Sequence, residues 1–213
     1  MRLDKLLVIR GFFSSRTKAK EAIKRGFVKM NGQVVTKPSA EVDLSADIEI
    51  LAEEKPRGYW KLKELDESWG ILKEGDVVLD LGSSAGGFLL YASEKVGDKG
   101  RVYGIEVSRE FEPHLRKIES ERCNVKVFME DVFRFDLSKL EPLDAILSDL
   151  TLDPISAFKA TSRFLPLLKP KGLILFVMKT GLKFEEPDFG RLETVNVKDS
   201  EDRRERYILL RMP

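Results

Sequence analysis

The sequence predicts an α/β fold with a mainly parallel sheet covered by helices on both faces, preceded by a small α+β domain. From residue 76 onward, apolar and β-branched runs alternate with helix-like segments, which is typical of a parallel sheet. The first 38 residues instead read as two short helices and a hairpin, with ten Lys and Arg against two acids, a net charge of +8. The other 175 residues therefore carry −7 of the total of +1. This asymmetry favours a polyanionic partner for the basic head.

Composition excludes several classes of protein. The chain has 213 residues, of which 42% are hydrophobic, and it contains no apolar run long enough to cross a membrane. Asp4, Lys5 and Arg10 interrupt the apolar N-terminus, which argues against a signal peptide. One cysteine, Cys123, and one histidine, His114, argue against a zinc site and an internal disulfide. We expect a cytoplasmic protein without a metal.

Residues 1–50 form the predicted first domain. Leu3, Leu6 and Leu7 recur at helical spacing, and a second helix runs from a cap at Ser14 or Ser15 to a stop at Gly26. Asn31-Gly32 is a strong hairpin signal, and a last strand follows at 46–51. Residues 51–56 form a polar linker, and 57–213 form the predicted second domain.

The second domain is read from its alternating segments. The predicted strands are 76–82, 101–108, 125–131, 143–150 and 172–180, with two more at 192–197 and 206–212. The predicted helices between them are 86–95, 109–119 and 154–168. In such sheets small molecules bind at the carboxyl ends of the strands, so the polar residues there are the candidates for a site.

A glycine loop and three acids mark a candidate nucleotide site. The loop "DLGSSAGGF", 80–88, lacks the Gly-x-Gly-x-x-Gly pattern and so disfavours a dinucleotide. Asp80 suits an amino group, Glu106 suits the hydroxyls of a ribose, and Asp131 suits an adenine amino group. Each acid alone is more often a cap or turn residue, but in this order they suit S-adenosylmethionine. The predicted cofactor-binding residues are Asp80, Gly82, Ser83, Gly86, Gly87, Phe88, Glu106, Asp131 and Asp149.

The first domain resembles the S-four-type RNA-binding domain. The matching residues are Arg2-Leu3-Asp4, Leu7, Ser15-Arg16, Ala19, Ile23, Gly26, Val28 and Asn31-Gly32. A basic helix face is usually only a solvated surface, but the net +8 with few acids favours nucleic-acid binding. The resemblance implies that structured RNA docks through Arg2, Lys5, Arg16, Lys18, Lys20 and Arg25.

The second domain resembles the FtsJ-like ribose 2′-O-methyltransferases. The motifs are "YWKLKEL", "DLGSSAGGF", "LSDL", "FVMKTG" and "RERYIL". The resemblance implies a Rossmann-like fold, S-adenosylmethionine as cofactor and a catalytic tetrad of Lys61, Asp149, Lys179 and Glu205. The tandem is similar to the TlyA-type proteins, historically labelled haemolysins, which implies ribosomal RNA or ribosomal subunits as the partner.

The chemistry explains why such residues are needed. A 2′-hydroxyl is a weak nucleophile that must be held in line with the methyl group and must lose its proton. Lys179 either removes that proton after its pKa falls, or stays charged and orients the hydroxyl. The sequence leaves both open, and also the simpler interpretation that Lys179 is a strand end reaching solvent. Lys63 competes with Lys61 for the helix position.

Two departures and two alternative functions remain. The family usually continues after the fourth-strand Asp with Pro, whereas this chain has Pro154 displaced in "DLTLDP". Pro187 in a short segment predicts that the usual helix before the last strands is shortened or lost.

The alternatives are an RNA base methyltransferase, for which Cys123 is poorly placed, and a non-catalytic RNA-binding or ribosome assembly factor that keeps the pocket.

Overall fold

The computed structural model describes residues 1–51, 55–181 and 185–213. The chain divides into two compact units, Met1–Lys55 and Pro56–Pro213, and the division falls within the predicted linker, 51–56. We call them unit 1 and unit 2 and describe each by itself. Within the described ranges, no helix combines the length and the apolar character that a membrane span requires.

The described residues of unit 1 form two helices and a three-stranded antiparallel sheet in the order β2-β1-β3. Its elements are α1 (Leu3–Ile9), α2 (Arg16–Lys24), β1 (Val28–Met30), β2 (Gln33–Val34) and β3 (Ile48–Ile50). Ser15 begins α2 as predicted, because its side chain accepts a hydrogen bond from the Lys18 amide. Asn31 and Gly32 both have positive φ, as a tight hairpin turn requires. Leu3, Leu7 and Ile23 are fully buried in the core of this unit.

Unit 2 contains a seven-stranded sheet in the order β6-β5-β4-β7-β8-β10-β9. The strands are β4 (Val77–Leu81), β5 (Arg101–Ile105), β6 (Val125–Phe128), β7 (Leu143–Ser148), β8 (Leu168–Lys179), β9 (Glu193–Ser200) and β10 (Glu205–Arg211). Neighbours from β6 to β8 pair in parallel, whereas β10 runs antiparallel to both β8 and β9. The fourth predicted strand, β7, therefore lies directly beside the first, β4, and the fifth, β8, lies next to β7.

Helices cover both faces of this sheet, which confirms the predicted architecture. They are α3 (Arg57–Trp69), α4 (Gly87–Val96), α5 (Glu112–Glu121) and α6 (Pro154–Ser162). The first three pack on the face that includes Val78, and α6 packs on the face that includes Leu79. Because side chains alternate along a strand, adjacent residues of β4 enter opposite cores.

The boundaries differ from the prediction where local sequence interrupts an element. The predicted helix 154–168 ends at Ser162, because Pro166 cannot continue it, and β8 then begins at Leu168. The third strand of the prediction, 125–131, ends three residues early at Phe128. Near Pro187, residues 185–192 contain no helix, in line with the predicted loss, while 182–184 lie outside the described residues.

Candidate active site at the carboxyl edge of the sheet

Five strands bring predicted site residues to one edge of unit 2. Asp80 lies within β4, and Glu106 and Asp149 directly follow β5 and β7. Lys179 is the last residue of β8. Because β10 runs antiparallel, its first residue, Glu205, is the direct partner of Lys179 across the two strands. Residues far apart in the chain thus meet at the edge where open α/β sheets bind ligands.

Lys61, Asp149, Lys179 and Glu205 form a closed cluster of alternating charge, called the tetrad below. The Lys61 ammonium Nζ lies 2.5 Å from Asp149 Oδ2 and 3.2 Å from Glu205 Oε2. The Lys179 Nζ lies 2.6 Å from Asp149 Oδ1 and 2.7 Å from Glu205 Oε1. Each lysine therefore bridges both acids, and the four formal charges cancel. Lys179 is a member of a partly buried ionic cluster, not a strand end that simply reaches solvent.

The helix position of the tetrad belongs to Lys61 and not to Lys63. Lys61 lies on the buried face of α3, with 8% of its surface exposed, and its ammonium lies 5.5 Å from the centre of the Phe88 ring. Lys63 is two residues further along the helix and faces another direction. It pairs instead with Glu67 at 3.7 Å and contacts the Trp60 ring. The competing assignment is therefore excluded by the position of the two side chains on the helix.

The contacts within the tetrad favour the charged forms of Lys179, Asp149 and Glu205. Burial favours the neutral form of Lys179, but the carboxylates of Asp149 and Glu205 outweigh it and raise the pKa of Lys179 above its ordinary value. Burial likewise acts to raise the pKa of Asp149, yet Lys61 and Lys179 hold it below its usual range. The pKa of Glu205 is lowered in the same way. At neutral pH without a ligand, Lys179 is an ammonium and not a free base.

Tyr207 and Arg203 support the tetrad, and sequence reasoning missed both. The Tyr207 hydroxyl donates to Glu205 Oε2 at 2.9 Å, and Arg203 Nη1 donates to the Tyr207 hydroxyl at 3.2 Å. Residues i and i+2 of a strand share a face, so the spacing from Glu205 to Tyr207 was the available signal. These contacts fix the carboxylate that lies opposite Lys179.

The glycine loop is shaped by packing against the protein itself. Gly82 and Gly86 both have φ of 79°, a conformation that glycine adopts without strain. A side chain at Gly86 would clash with Ile118 of α5, and one at Gly87 would lie 2.6 Å from the Tyr59 amide nitrogen of α3. The room at Gly86 and Gly87 is thus taken up by neighbouring helices.

The other predicted cofactor-binding residues lie around this loop and differ in their hydrogen-bond partners and burial. Glu106 accepts hydrogen bonds from the amides of Ser84 and Ser108, at 2.8 and 2.7 Å, so it also orders the loop. Ser83 is buried, and its hydroxyl donates to the Asp80 carbonyl. Asp131 lies beyond the end of β6, half-buried, and caps a turn by accepting from the Phe133 amide. Their assignment to a cofactor stays a prediction.

Asp80 is the observation that points most directly to a ligand. Its side chain is fully buried, and among the residues that the structure describes neither carboxylate oxygen has a hydrogen-bond partner. Burial raises the pKa of Asp80 to about 7; the charges of Asp149 and Glu106 add to this effect, and the nearby Ser83 hydroxyl and Lys61 ammonium offset it only in part. An unpartnered buried carboxylate costs free energy unless a cation or donor reaches it. A ligand that carries positive charge would satisfy it.

In unit 1, Asp4 organises half of the predicted RNA-binding residues. Asp4 is fully buried and accepts hydrogen bonds from Arg2 Nε at 3.0 Å and from Arg16 Nη2 at 2.8 Å. Lys20 Nζ lies 4.0 Å away. All three cations remain close to half exposed, at 49%, 51% and 45% of their side-chain surface. Lys5, Lys18 and Arg25 are exposed on or beside the same two helices. Their role in binding RNA stays a prediction.

Comparison with known families agrees with this geometry. Residues 55–188 match the FtsJ-like methyltransferase family, and residues 1–48 match the S4 domain. The chain belongs to the FtsJ-like methyltransferase family. The matched range includes Lys61, Asp149 and Lys179, whereas Glu205 lies beyond it.

Curated relatives carry the name ribosomal RNA large subunit methyltransferase E. One, from Oleidesulfovibrio alaskensis, is 39% identical over 103 residues, which cover 44% of this chain and 45% of the relative. Another, from Desulfosudis oleivorans, is 32% identical over 135 residues, which cover 60% of this chain and 61% of the relative. The chain thus spans about half the length of the relatives it matches.

Solved structures share the fold at low sequence identity. Fibrillarin from Aeropyrum pernix, solved with natively bound S-adenosyl-L-methionine, has a TM-score of 0.59 at 24% identity, covering 72% of this chain and 75% of that chain. A suspected hemolysin from Streptococcus thermophilus has a TM-score of 0.58 at 17% identity, covering 100% of this chain and 88% of that one. At these identities the likeness establishes the fold alone.

Proposed function

We propose that this chain is an S-adenosylmethionine-dependent RNA methyltransferase that modifies a ribose 2′-hydroxyl of ribosomal RNA. The observation that carries the proposal is the tetrad, in which two lysines and two acids from α3, β8, β10 and the end of β7 meet at the ligand-binding edge. The names of the curated relatives and the S4 match support RNA as substrate. The basic unit 1 docks structured RNA through phosphate and shape.

The residues at this edge fit S-adenosylmethionine. The Asp80 carboxylate, which has no hydrogen-bond partner among the described residues, would bind the cationic amino group of S-adenosylmethionine. This contact would give the buried carboxylate the donor that it lacks. Glu106 retains lone pairs for ribose hydroxyls, and Asp131 lies further along the same edge for the adenine. When bound, S-adenosylmethionine supplies an electrophilic methyl group on a positively charged sulfur.

The charged state of Lys179 decides its proposed role. As an ammonium it donates a hydrogen bond to the 2′-oxygen, holds it in line and stabilises the negative charge that develops there, while the hydroxyl proton passes to solvent water as the methyl group is transferred. Asp149 and Glu205 hold Lys179 from two sides and Lys61 fixes both acids, so the ammonium is positioned before substrate binds. Of the two roles left open by the sequence, the raised pKa of Lys179 supports orientation over proton removal.

A methyl-transfer assay tests the reaction. Purified protein, radiolabelled methyl donor and unmodified large-subunit ribosomal RNA, or large subunits from a strain lacking the gene, should give label on a ribose. The product is digested to nucleosides and separated. Label on a base would establish the alternative base methyltransferase. No label together with no calorimetric binding of S-adenosylmethionine would indicate the non-catalytic alternative.

Substitutions of Lys179 separate its two possible roles. Lys179→Met should lower kcat by about 10²–10³-fold, because it removes a donor aimed at developing charge. Lys179→Arg keeps a cation that cannot act as a base, so it should retain more activity than Lys179→Met. If Lys179→Arg is as inactive as Lys179→Met and the wild-type rate rises tenfold per pH unit from 6 to 9, Lys179 acts as the base.

The same proposal predicts the location of the protein. Ribosomal RNA and S-adenosylmethionine are both available in the cytoplasm, and the one free cysteine, Cys123, is exposed. Fractionation of cells followed by immunodetection tests the location.

A further inference from the structure

The turn between β9 and β10 carries an arginine that the protein itself does not use. The other arginine of the turn, Arg203, donates to Tyr207, and the nearby Arg206 of β10 pairs with Asp199 and Glu186. Arg204 is exposed, and no hydrogen bond or ion pair engages its side chain within the described part of the chain. Its guanidinium is therefore available to a partner.

The backbone of Arg204 is held in place beside the tetrad. Its φ is 52°, in the left-handed region that residues with a Cβ rarely adopt. Its amide donates to the Glu201 carbonyl at 3.1 Å, and its carbonyl accepts from the Thr180 amide at 2.8 Å. Lys179 and Glu205 are paired across β8 and β10. Thr180 directly follows Lys179, and Arg204 directly precedes Glu205. Arg204 is therefore fixed one residue outside the tetrad. Unfavourable backbone conformations that the surroundings impose are concentrated at functional sites.

An RNA substrate creates a need for such a cation. In RNA the 2′-hydroxyl and the 3′-phosphate are on adjacent carbons of one ribose. Bringing the 2′-oxygen to the tetrad therefore brings a phosphate close to the carboxylates of Asp149 and Glu205, which repel it. Both lysines of the tetrad are already engaged by those acids, and the tetrad has no net charge. A cation just outside the tetrad would offset the repulsion.

We propose that Arg204 binds the backbone phosphate next to the target ribose and so determines how the 2′-hydroxyl enters the tetrad. The inference rests on the proposed function and adds a substrate-binding residue to it. Arginine suits this task because its planar guanidinium can donate two parallel hydrogen bonds to a phosphate. The contact is made to backbone and not to a base, so it positions the RNA without reading its sequence.

Arg204→Gln in the full-length protein tests this, with Lys171→Gln as the matched control. Lys171 is also an exposed cation with positive φ, at 63°, and lacks a side-chain partner in the described residues. It lies eight residues before Lys179, near the start of β8 and therefore at the opposite end of this strand from the tetrad. The probe is unmodified large-subunit ribosomal RNA transcribed in vitro. The measurements are kcat/KM for RNA from 50 to 200 mM salt, and calorimetric binding of S-adenosylmethionine.

For Arg204→Gln we expect kcat/KM to fall about 10–100-fold, which is typical of a lost charged hydrogen bond. The slope of log kcat/KM against log salt should become shallower by about one, whereas binding of S-adenosylmethionine should not change. Lys171→Gln should behave like the wild type in every measurement. Arg204→Gly relieves the positive φ without restoring the cation, so it should lose as much activity as Arg204→Gln.

Three results would overturn the proposal. One is wild-type kcat/KM and salt slope in Arg204→Gln, and another is an equal loss in Lys171→Gln. The third is full activity in Arg204→Gly, which would assign the effect to backbone conformation. A wild-type protein that transfers no methyl group to ribose would contradict the proposed function itself, and the two failures are therefore distinguishable.

Discussion

Asp4 in unit 1 and Asp80 in unit 2 are both fully buried carboxylates, but their surroundings differ. Burial alone would raise the pKa of Asp4, yet hydrogen bonds from Arg2 and Arg16 outweigh it and keep the pKa below its ordinary value. Asp80 has no such partner, and burial raises its pKa to about 7. Among the described residues, the chain supplies hydrogen-bond partners to Asp4 and none to the carboxylate oxygens of Asp80. Burial therefore indicates function only once the partners are known.

The tetrad resembles Asp4 in the pairing of its acids but differs from it in the exposure of its cations. Its acids are paired like Asp4, but its cations are turned inward, with 10% and 31% of the Lys61 and Lys179 side chains exposed. Around Asp4 the arginines are about half exposed, so their outer surfaces remain free for a polyanion. The ion pairs of unit 1 thus leave their cations accessible to solvent, whereas those of the tetrad largely enclose theirs.

The largest expected effect comes from removing the unsatisfied acid. The folded protein keeps the Asp80 proton up to about pH 7, whereas an unfolded chain releases it near 3.8. The stability contributed by this carboxyl is thus present below about pH 4 and lost as the pH rises through 7, by at most about 4 kcal/mol. At pH 8, Asp80→Asn should therefore raise the stability of ligand-free protein by up to that amount, and it should weaken binding of S-adenosylmethionine.

Urea denaturation at pH 5 and pH 8, with calorimetric binding of S-adenosylmethionine, measures both effects. Asp98→Asn, an exposed turn residue, is the control and should change stability by less than about 0.5 kcal/mol. If Asp80→Asn shows the same loss of stability as the wild type between pH 5 and pH 8, the buried carboxyl is not the cause. Unchanged cofactor affinity would show that Asp80 does not hold the ligand.

The next effect comes from breaking the tetrad. Lys61→Met leaves Asp149 and Glu205 with one cation between them, and breaking a buried ion pair costs about 3–5 kcal/mol. Because both acids are slightly exposed, we expect about 2–3 kcal/mol of lost stability in the unfolding of unit 2 at pH 7. Lys63→Met on the same helix should cost less than about 0.5 kcal/mol, because its pair with Glu67 is exposed. Equal losses in the two variants would mean that the tetrad is not held together by these charges.

The smallest effect concerns the satisfied acid of unit 1. Asp4→Asn should destabilise unit 1 by about 1–2 kcal/mol, because two arginines lose a charged acceptor. It should also weaken RNA binding, because Arg2 and Arg16 lose their fixed positions. Simple charge counting predicts the opposite, since removing a negative charge should strengthen binding to RNA. Filter binding of structured ribosomal RNA at several salt concentrations distinguishes the two.

Asp43→Asn controls for the lost charge, because Asp43 is exposed and its carboxylate accepts hydrogen bonds from the amide and hydroxyl of Ser45, not from an arginine. This variant should keep wild-type stability within about 0.5 kcal/mol and bind RNA no more weakly than the wild type. Tighter RNA binding by both variants would contradict the role of Asp4 as an anchor.

Periodicity and turn chemistry predicted most of the fold. The hairpin at Asn31-Gly32, the cap at Ser15 and the alternating strands all follow from local rules that the structure obeys. Strand ends were harder to predict: the predicted third strand included Met129, Glu130 and Asp131, but the strand in the structure ends at Phe128. Pairing with a neighbour ends a strand, and local sequence does not contain that information.

The sequence by itself determined which residue types lie at the strand ends, and thereby the acids, the glycine loop and Lys179 as candidates. Only the tertiary structure decided which of them meet. The antiparallel entry of β10 places Glu205 opposite Lys179, and the face of α3 selects Lys61 over Lys63. The tertiary structure also decided that the Asp4 carboxylate has hydrogen-bond partners and the Asp80 carboxylate has none. The free energy of a buried charge depends on such partners, which are often distant in the chain.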